Sequence, residues 1–492
     1  MVHDMIPPAS TLPGRHASLC VPTMTSEELY YNDATSMAEL VRDGQVSPVD
    51  LVQTHLERIE AVNPRLNAVV TLDHRAEDRA REAEAALARG ESWGPLHGVP
   101  FTVKDCIDNA GLRTTRGSKL FADRVPESDA PVVRRLKEAG GIVIGKTNMP
   151  EFALWWETDN VVFGRTENPW LDGRTPGGSS GGEAAAIAAG LSPLGLGSDV
   201  GGSIREPANY CGVVGLKATH GRVPLAGHWP DVLLRFMHVG PLARTVRDVA
   251  LALDVIAGPD GADPYAVPVP RADAAALEGP VAGLRVGRCV EGPFAPLADD
   301  VRDAVAAAAS ALDEAGCKVE SVSLADWEQW SALEISSRVY GPETLHYLEP
   351  LVAGREGELS PPIRRRLAWP QPPMSEYLAA TEELEGFRQA VARYFAGFDL
   401  LLCPVGPVPA HPHDSAEIEV AGKKLPGRSA LRATIPFDLT GSPAISVPFR
   451  WSAEGLPIGV QLVGRHFGEP TLLRAAAALE SAREDPQRRP PV

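Results

Sequence analysis

Apolar positions between residues 33 and 62 recur at helical spacing (Leu40, Val41, Leu51, Val52, Leu56, Ile59), and Gly44 and Pro48 cut the stretch into two helices. A third, charged helix is predicted over residues 74–88. Residues 95–100 form a turn cluster, after which Phe101-Thr102-Val103-Lys104 alternates as a short strand whose polar face ends in Lys104. Residues 131–139 read as a helix closed by Gly140 and Gly141, and Ile142-Val143-Ile144 as a buried strand. Strand, helix and strand return at 284–290, 300–315 and 318–322. Helices then fill most of 325–398, and strands are predicted at 399–403, 444–449 and 458–463, the first of them leading into a Pro-rich loop. This alternation of periods is an α/β rhythm.

At 492 residues the chain has room for one large core or two to three ordinary domains. Punctuation divides it into a loose extension over 1–28, a main body over 29–484 and a tail over 485–492 expected to fray. Within the body, a segment over 97–250 carries the candidate chemistry, 258–280 is a long connection, and 281–484 is a second half. The extension holds Pro7, Pro8, Pro13 and Pro22 and no continuous apolar stretch, which is unlike a secretory signal, and Met24 is an alternative start. Apolar residues at 44% and charged residues at 23% are ordinary for a globular protein. A formal charge of -17 repels phosphate backbones and anionic membranes, and no basic cluster offsets it. No run of apolar residues is long enough to span a membrane. The six cysteines are scattered without a C-x-x-C pair or metal-like spacing, so a reducing, cytoplasmic setting with no metal site is expected.

Glycine density rises after Pro169, through Gly177-Gly178-Ser179-Ser180-Gly181-Gly182 and Gly197-Ser198-Asp199-Val200-Gly201-Gly202-Ser203. Glycines there permit backbone that turns successive N–H groups toward one point, beside the Ser203 hydroxyl. A serine attacks a carbonyl only when a base takes its proton, and a lysine serves only while neutral, a state that burial favours. Lys104, ending an apolar strand, is a candidate. Ser180-Gly181-Gly182-Glu183 matches a capping box leading into a helix over 183–189, which gives Ser180 a structural task and leaves Ser179 free to face a reacting centre.

The two glycine-rich segments, the second continuing to Ile204-Arg205, resemble the amidase-signature enzymes. The spacings agree with that family's Ser-cis-Ser-Lys triad: 75 residues from Lys104 to Ser179 and 24 from Ser179 to Ser203. Further matches lie at 97–105, 145–148, 212–217, 441–444 and 455–461, so the resemblance runs roughly from Asp33 to Glu480. It implies one compact α/β domain, a twisted mixed sheet with helices on both faces. It implies that Ser203 is the nucleophile, that Ser179 on a cis peptide relays the proton, and that Lys104 is the neutral base. The amides of Val200, Gly201, Gly202 and Ser203 are expected to form the oxyanion hole, with Asp199 and Arg205 bracing the loop. The implied substrate is a small amide, anilide or carbamate cleaved with water by a monomer or homodimer, without cofactor. The resemblance also places part of the cleft at Ala153, Leu154, Trp155 and Trp156. The loop 225–236, with His228, Trp229 and Phe236, is the candidate specificity lid.

Three other readings compete. The glutaminase subunit of a tRNA-dependent amidotransferase uses the same site with a partner protein, but Met237-His238-Val239-Gly240-Pro241 departs from the pattern associated with it. Gly140 to Thr147 matches the P-loop lettering of a nucleotide-binding protein. Against that, three β-branched residues stand where backbone must wrap phosphate, and Asn148-Met149-Pro150 starts a helix poorly. Gly177 to Gly181 fits the G-x-S-x-G elbow, which needs a strand upstream and a histidine downstream. Residues 170–176 are no strand, and His220, His228 and His238 read as pocket or surface residues.

Overall fold

Thirteen strands can be followed through the computed structural model, which describes residues 24–271, 277 and 279–492. They are β1 (Val69–Leu72), β2 (Pro100–Lys104), β3 (Ile142–Thr147), β4 (Leu194–Asp199), β5 (Val214–Lys217), β6 (His238–Ala243), β7 (Arg285–Arg288), β8 (Lys318–Ser321), β9 (Leu400–Pro404), β10 (Glu417–Val420), β11 (Lys423–Pro426), β12 (Ala444–Trp451) and β13 (Pro457–Gly464). Eleven of them make one sheet in the order β1-β3-β2-β4-β6-β5-β12-β13-β9-β7-β8. β2 runs parallel to β3 and β4, and β7 parallel to β8 and β9, while the other neighbours are antiparallel, so the sheet is mixed.

Side chains alternate across this sheet, and both faces are covered. Val143, Leu400 and Leu402 pack with the helices Val246–Ile256, Asp299–Glu314 and Glu469–Ser481. Ile142 and Ile144 go to the opposite face, against the helices Pro48–Leu66, Ala76–Ala88 and Gly181–Ala188. Leu401 and Cys403 meet the helices Ala332–Val352 and Met374–Gly397. The chain is thus an α/β mixed sheet with helices on both faces, as expected. Among the described residues no helix is long and apolar enough to cross a membrane.

Local signals explain most boundaries. The first break falls between the helices Ala34–Arg42 and Pro48–Leu66, where the Asp33 and Ser47 side chains accept the amides of Ser36 (2.8 Å) and Asp50 (3.0 Å). β3 runs on to Thr147 instead of stopping at Ile144, so the P-loop lettering is a sheet strand. Lys146 is buried and donates to the Ile107 carbonyl. The Pro-rich loop after β9 contains the hairpin β10–β11, which periodicity did not signal. The extension expected over 1–28 lies outside the described residues as far as 23, and Ser26–Tyr30 beyond it is a helix closed by a Thr25–Glu28 capping box. The connection 258–280 is in part outside them too. The tail is held rather than frayed: Arg65 donates to the Pro491 carbonyl (2.9 Å) and Arg58 to that of Val492 (3.1 Å).

The topology matters to the site at one place. β2 and β4 are parallel neighbours, with Thr102 opposite Gly195 and Val103 opposite Leu196, so their carboxyl ends, Lys104 and Asp199, emerge side by side. Crevices outside the carboxyl ends of parallel strands are where open α/β sheets bind ligands.

Candidate active site

Lys104 is wholly buried at the end of β2, and its Nζ donates to the hydroxyls of Ser179 (2.7 Å), Ser180 (2.9 Å) and Ser198 (3.0 Å). Among the described residues it makes no ion pair. Burial disfavours its charged form and brings its pKa from 10.5 down to about 8, against the opposing pull of Cys106, Asp199 and Glu183. About a tenth of the amine is then neutral at pH 7, and in that form its lone pair accepts from one of the surrounding hydroxyls in place of one donated bond.

The segment before the helix Gly181–Ala188 brings Ser179 to that amine. Gly178-Ser179 is a cis peptide, and the Gly178 amide donates to Glu206 Oε2 (2.9 Å). Thr158 Oγ1 donates to the Gly177 carbonyl (2.8 Å) and accepts the Gly181 amide (3.2 Å), fastening both ends of the turn. Gly177 has φ +84°, and a Cβ there would stand 2.9 Å from the Pro207 backbone, so only glycine fits.

The expected capping box does not form. Ser180 occupies the N-cap position with φ -99° and ψ 34° and makes no side-chain cap. Its hydroxyl accepts from Lys104 and donates to the Ser198 carbonyl (3.3 Å). Glu183 lies on a helix buried on every side, so its carboxylate turns to the sheet, accepting Thr102 Oγ1 of β2 and Thr147 Oγ1 of β3 (2.7 Å). Burial raises its pKa to about 7.

After β4 the chain turns through Val200-Gly201-Gly202 to Ser203 and the helix Arg205–Cys211. Asp199 folds back under the turn. Its Oδ1 accepts the Gly202 amide (2.6 Å) and its Oδ2 the Ile204 amide (3.1 Å), while Arg205 clasps both oxygens at 3.0 Å. Arg205 reaches on to Asp438 Oδ2 (2.8 Å), Gln461 Oε1 (2.8 Å) and the Thr434 carbonyl (2.9 Å), all buried. Burial alone raises a carboxyl pKa, but the Arg205 guanidinium and Lys217 hold Asp199 well below the carboxylate range. This corrects the four-amide oxyanion expectation, because the Gly202 amide is already taken by Asp199. Among the described residues the amides of Val200, Gly201 and Ser203 have no protein acceptor, and the Ser203 hydroxyl makes no hydrogen bond. The Ser203 carbonyl accepts the Ser180 amide (3.1 Å), which ties the two serine segments together.

Ser203 opens on a cavity of about 160 Å³ that Val200 and Gly201 floor. Ala153, Leu154, Trp155 and Trp156 form one wall, the two indoles stacked at 3.7 Å. Tyr340, Arg366, Arg428, Leu431 and Ile435 also line it.

The amidase family model matches residues 50–473. The chain belongs to the amidase-signature family. It is an enzyme, a hydrolase acting on carbon–nitrogen bonds. Among its relatives, a subunit of the glutamyl-tRNA(Gln) amidotransferase of Moorella thermoacetica is 39% identical, over 94% of this chain and 99% of its own. An acylamidase of Rhodococcus erythropolis is 35% identical over 95% and 98%. The structure of 6-aminohexanoate cyclic dimer hydrolase complexed with substrate superposes with a TM-score of 0.84 at 33% identity, covering 94% of this chain and 99% of that one.

In this family member His228 and Trp229 lie outside the cleft. Trp229 packs edge-on to Phe121 (5.5 Å) and Phe152 (5.0 Å), with the Arg116 guanidinium over its ring at 4.6 Å. His228 is buried beside it, pairs with Ile107 in a short bridge, and is driven down to a pKa of about 3 by burial and by the charge of Lys104. The loop 225–236 is therefore largely interior, Phe236 included, and no lid; only Leu233 reaches the cleft. His238 is also interior, its ring between the Lys217 amine (3.3 Å) and the Asp199 carbonyl (3.3 Å), and His220 is fixed to the Leu234 carbonyl (2.8 Å). Sequence reasoning missed Ser198, Asp438, Gln461 and the Arg-bearing wall. Ser198 stood inside a quoted segment and had a signal. Gln461 likewise ended the matched segment 455–461, whereas Asp438, which joins Arg205 across 233 residues, had none.

Proposed function

We propose that this chain hydrolyses small amides by itself, through an acyl-enzyme on Ser203. Ser203 Oγ attacks the amide carbon and passes its proton to Ser179, which passes its own to the neutral Lys104 amine. The amides of Val200, Gly201 and Ser203 stabilise the oxyanion. On collapse, Lys104 returns the proton through Ser179 to the departing nitrogen, and water cleaves the ester by the same relay reversed. The observation that carries this reading is the buried, unpaired Lys104 amine at 2.7 Å from Ser179. The leg from Ser203 to Ser179 is the part we infer.

A second reading has a specific support, the name of the Moorella relative. In an amidotransferase assembly the chain would release ammonia from glutamine only with a partner. Purified chain assayed alone on a p-nitroanilide and on glutamine separates the two. Anilide cleavage without any partner is the result expected, and activity confined to glutamine in a co-purified assembly would overturn it.

A further inference from the structure

The cavity that Trp155 and Trp156 line also carries positive charge that no ion pair balances among the described residues. Arg428 donates only to neutral acceptors, the Leu333 carbonyl (2.8 Å) and the hydroxyls of Ser336 (2.7 Å) and Ser337. Arg366 reaches Thr344 Oγ1 at 3.3 Å, and its Nε is buried without a partner. Among the described residues neither guanidinium makes an ion pair. The charge acting on Arg366 is that of Arg428, a like charge, and the group acting on Arg428 is the Tyr340 phenol. Burial pushes both guanidinium groups down to about 10. Arg338 on a neighbouring helix is paired with Glu383, whereas the two cavity arginines have no acid beside them.

Two residues lining this cavity also carry a buried group without a protein partner, the Tyr340 hydroxyl and the Trp156 indole N–H. Together with Arg366 Nε, all the unmet groups can donate. Both arginines are half-buried, a setting in which a charge drawn partly out of water is favoured by an opposite charge, and buried donors need acceptors. The ligand that answers both needs is an anion rich in acceptor oxygens, and the planar guanidinium fork matches a carboxylate.

We propose that the substrate is an amide carrying a carboxylate on its acyl or amine portion, which Arg428 and Arg366 hold with Tyr340 while the reacting carbonyl lies at Ser203. The position of the amide rests on the reading of Ser203 given above; the carboxylate site does not. Arg365, exposed with its guanidinium 5.7 Å from the Trp155 ring, adds a third positive group toward the mouth.

Two matched substrate pairs test this. Glutaryl p-nitroanilide against valeryl p-nitroanilide places the charge on the acyl side, and 4-acetamidobenzoate against 4-acetamidotoluene places it on the amine side. In one pair the acid should be preferred about tenfold or more in kcat/KM, within the range of hydrogen bonds to charged groups. Arg428→Gln and Arg366→Gln should each shrink that ratio by about tenfold, and Arg428→Lys should keep part of it, with melting curves checking the fold. Equal or reversed preference in both pairs, with the neutral anilides still cleaved, would overturn the carboxylate site and leave the amidase reading intact. If no anilide is cleaved, binding decides: Ser203→Ala protein should bind glutarate in preference to glutaramide by calorimetry, and lose that preference with Arg428→Gln. Equal binding of the two, or a preference indifferent to Arg428, would overturn the proposal.

Discussion

Arginines beneath the Ser203 loop and along the cavity it opens on stand in opposite electrostatic conditions. Beneath the Ser203 loop, Arg205 is clasped by Asp199 and Asp438 and also bonds Gln461 and a carbonyl, so a fully buried charge is paired throughout. Along the cavity, Arg366 and Arg428 have only hydroxyls and carbonyls. The first arrangement fixes a backbone turn and asks nothing of a ligand. The second is incomplete without one. The brace beneath the proposed nucleophile is satisfied within the protein, and the wall proposed to select the substrate keeps its donors unspent.

The sharpest way to test that division is to damage the satisfied side. Ser203→Ala should lower turnover at least about 10⁴-fold with folding intact, in line with the loss of a nucleophile elsewhere. Steady-state assay beside a melting curve checks both. Lys104→Met should cost about 10³-fold or more, and it carries a pH signature. A base acts when deprotonated, so the wild-type rate should rise with pH and level off above about 8, the value to which burial brings Lys104. The variant's residual rate should lose that limb.

Damage to the brace should appear as stability. Arg205→Met leaves Asp199 and Asp438 facing each other in the interior, and removing one member of a buried pair costs roughly 3–5 kcal/mol. Denaturant titration reads this directly, whereas Arg428→Gln, which leaves no acid behind, should shift the midpoint far less. The smallest effect belongs to His228→Gln. With His228 interior and outside the cleft, kcat/KM should stay within about twofold, although a histidine-based mechanism predicts collapse.

Legibility followed sequence distance. Lys104, Ser179 and Ser203 were named from lettering and spacing, because glycine-rich turns leave a compact trace in the sequence and the sheet brings Lys104 to them through adjacent strands. The α/β rhythm was likewise readable from the apolar runs, while the mixed sheet came only from the family resemblance. The local pattern misled at Ser180, since S-x-x-E predicts a cap only where the glutamate faces solvent or its own helix end. Here tertiary burial turned Glu183 to Thr102 and Thr147, and Ser180 to Lys104. His228 and Trp229 looked like lid residues because a loop is normally on the surface, yet theirs is packed under Arg116 and Phe121. The wall built from Tyr340, Arg366 and Arg428 was invisible because its parts meet only in the folded chain, Arg428 reaching Ser336 across 92 residues.

One measurement bears most directly on the central claim. An aryl N-alkylcarbamate leaves a slowly hydrolysed carbamoyl group on a serine nucleophile, and peptide mapping by mass spectrometry locates it. The account predicts modification of Ser203 alone, at a rate that climbs with pH to a plateau above about 8 and vanishes in Lys104→Met. Label on Ser179, Ser180 or a histidine, or a rate indifferent to Lys104, would contradict it.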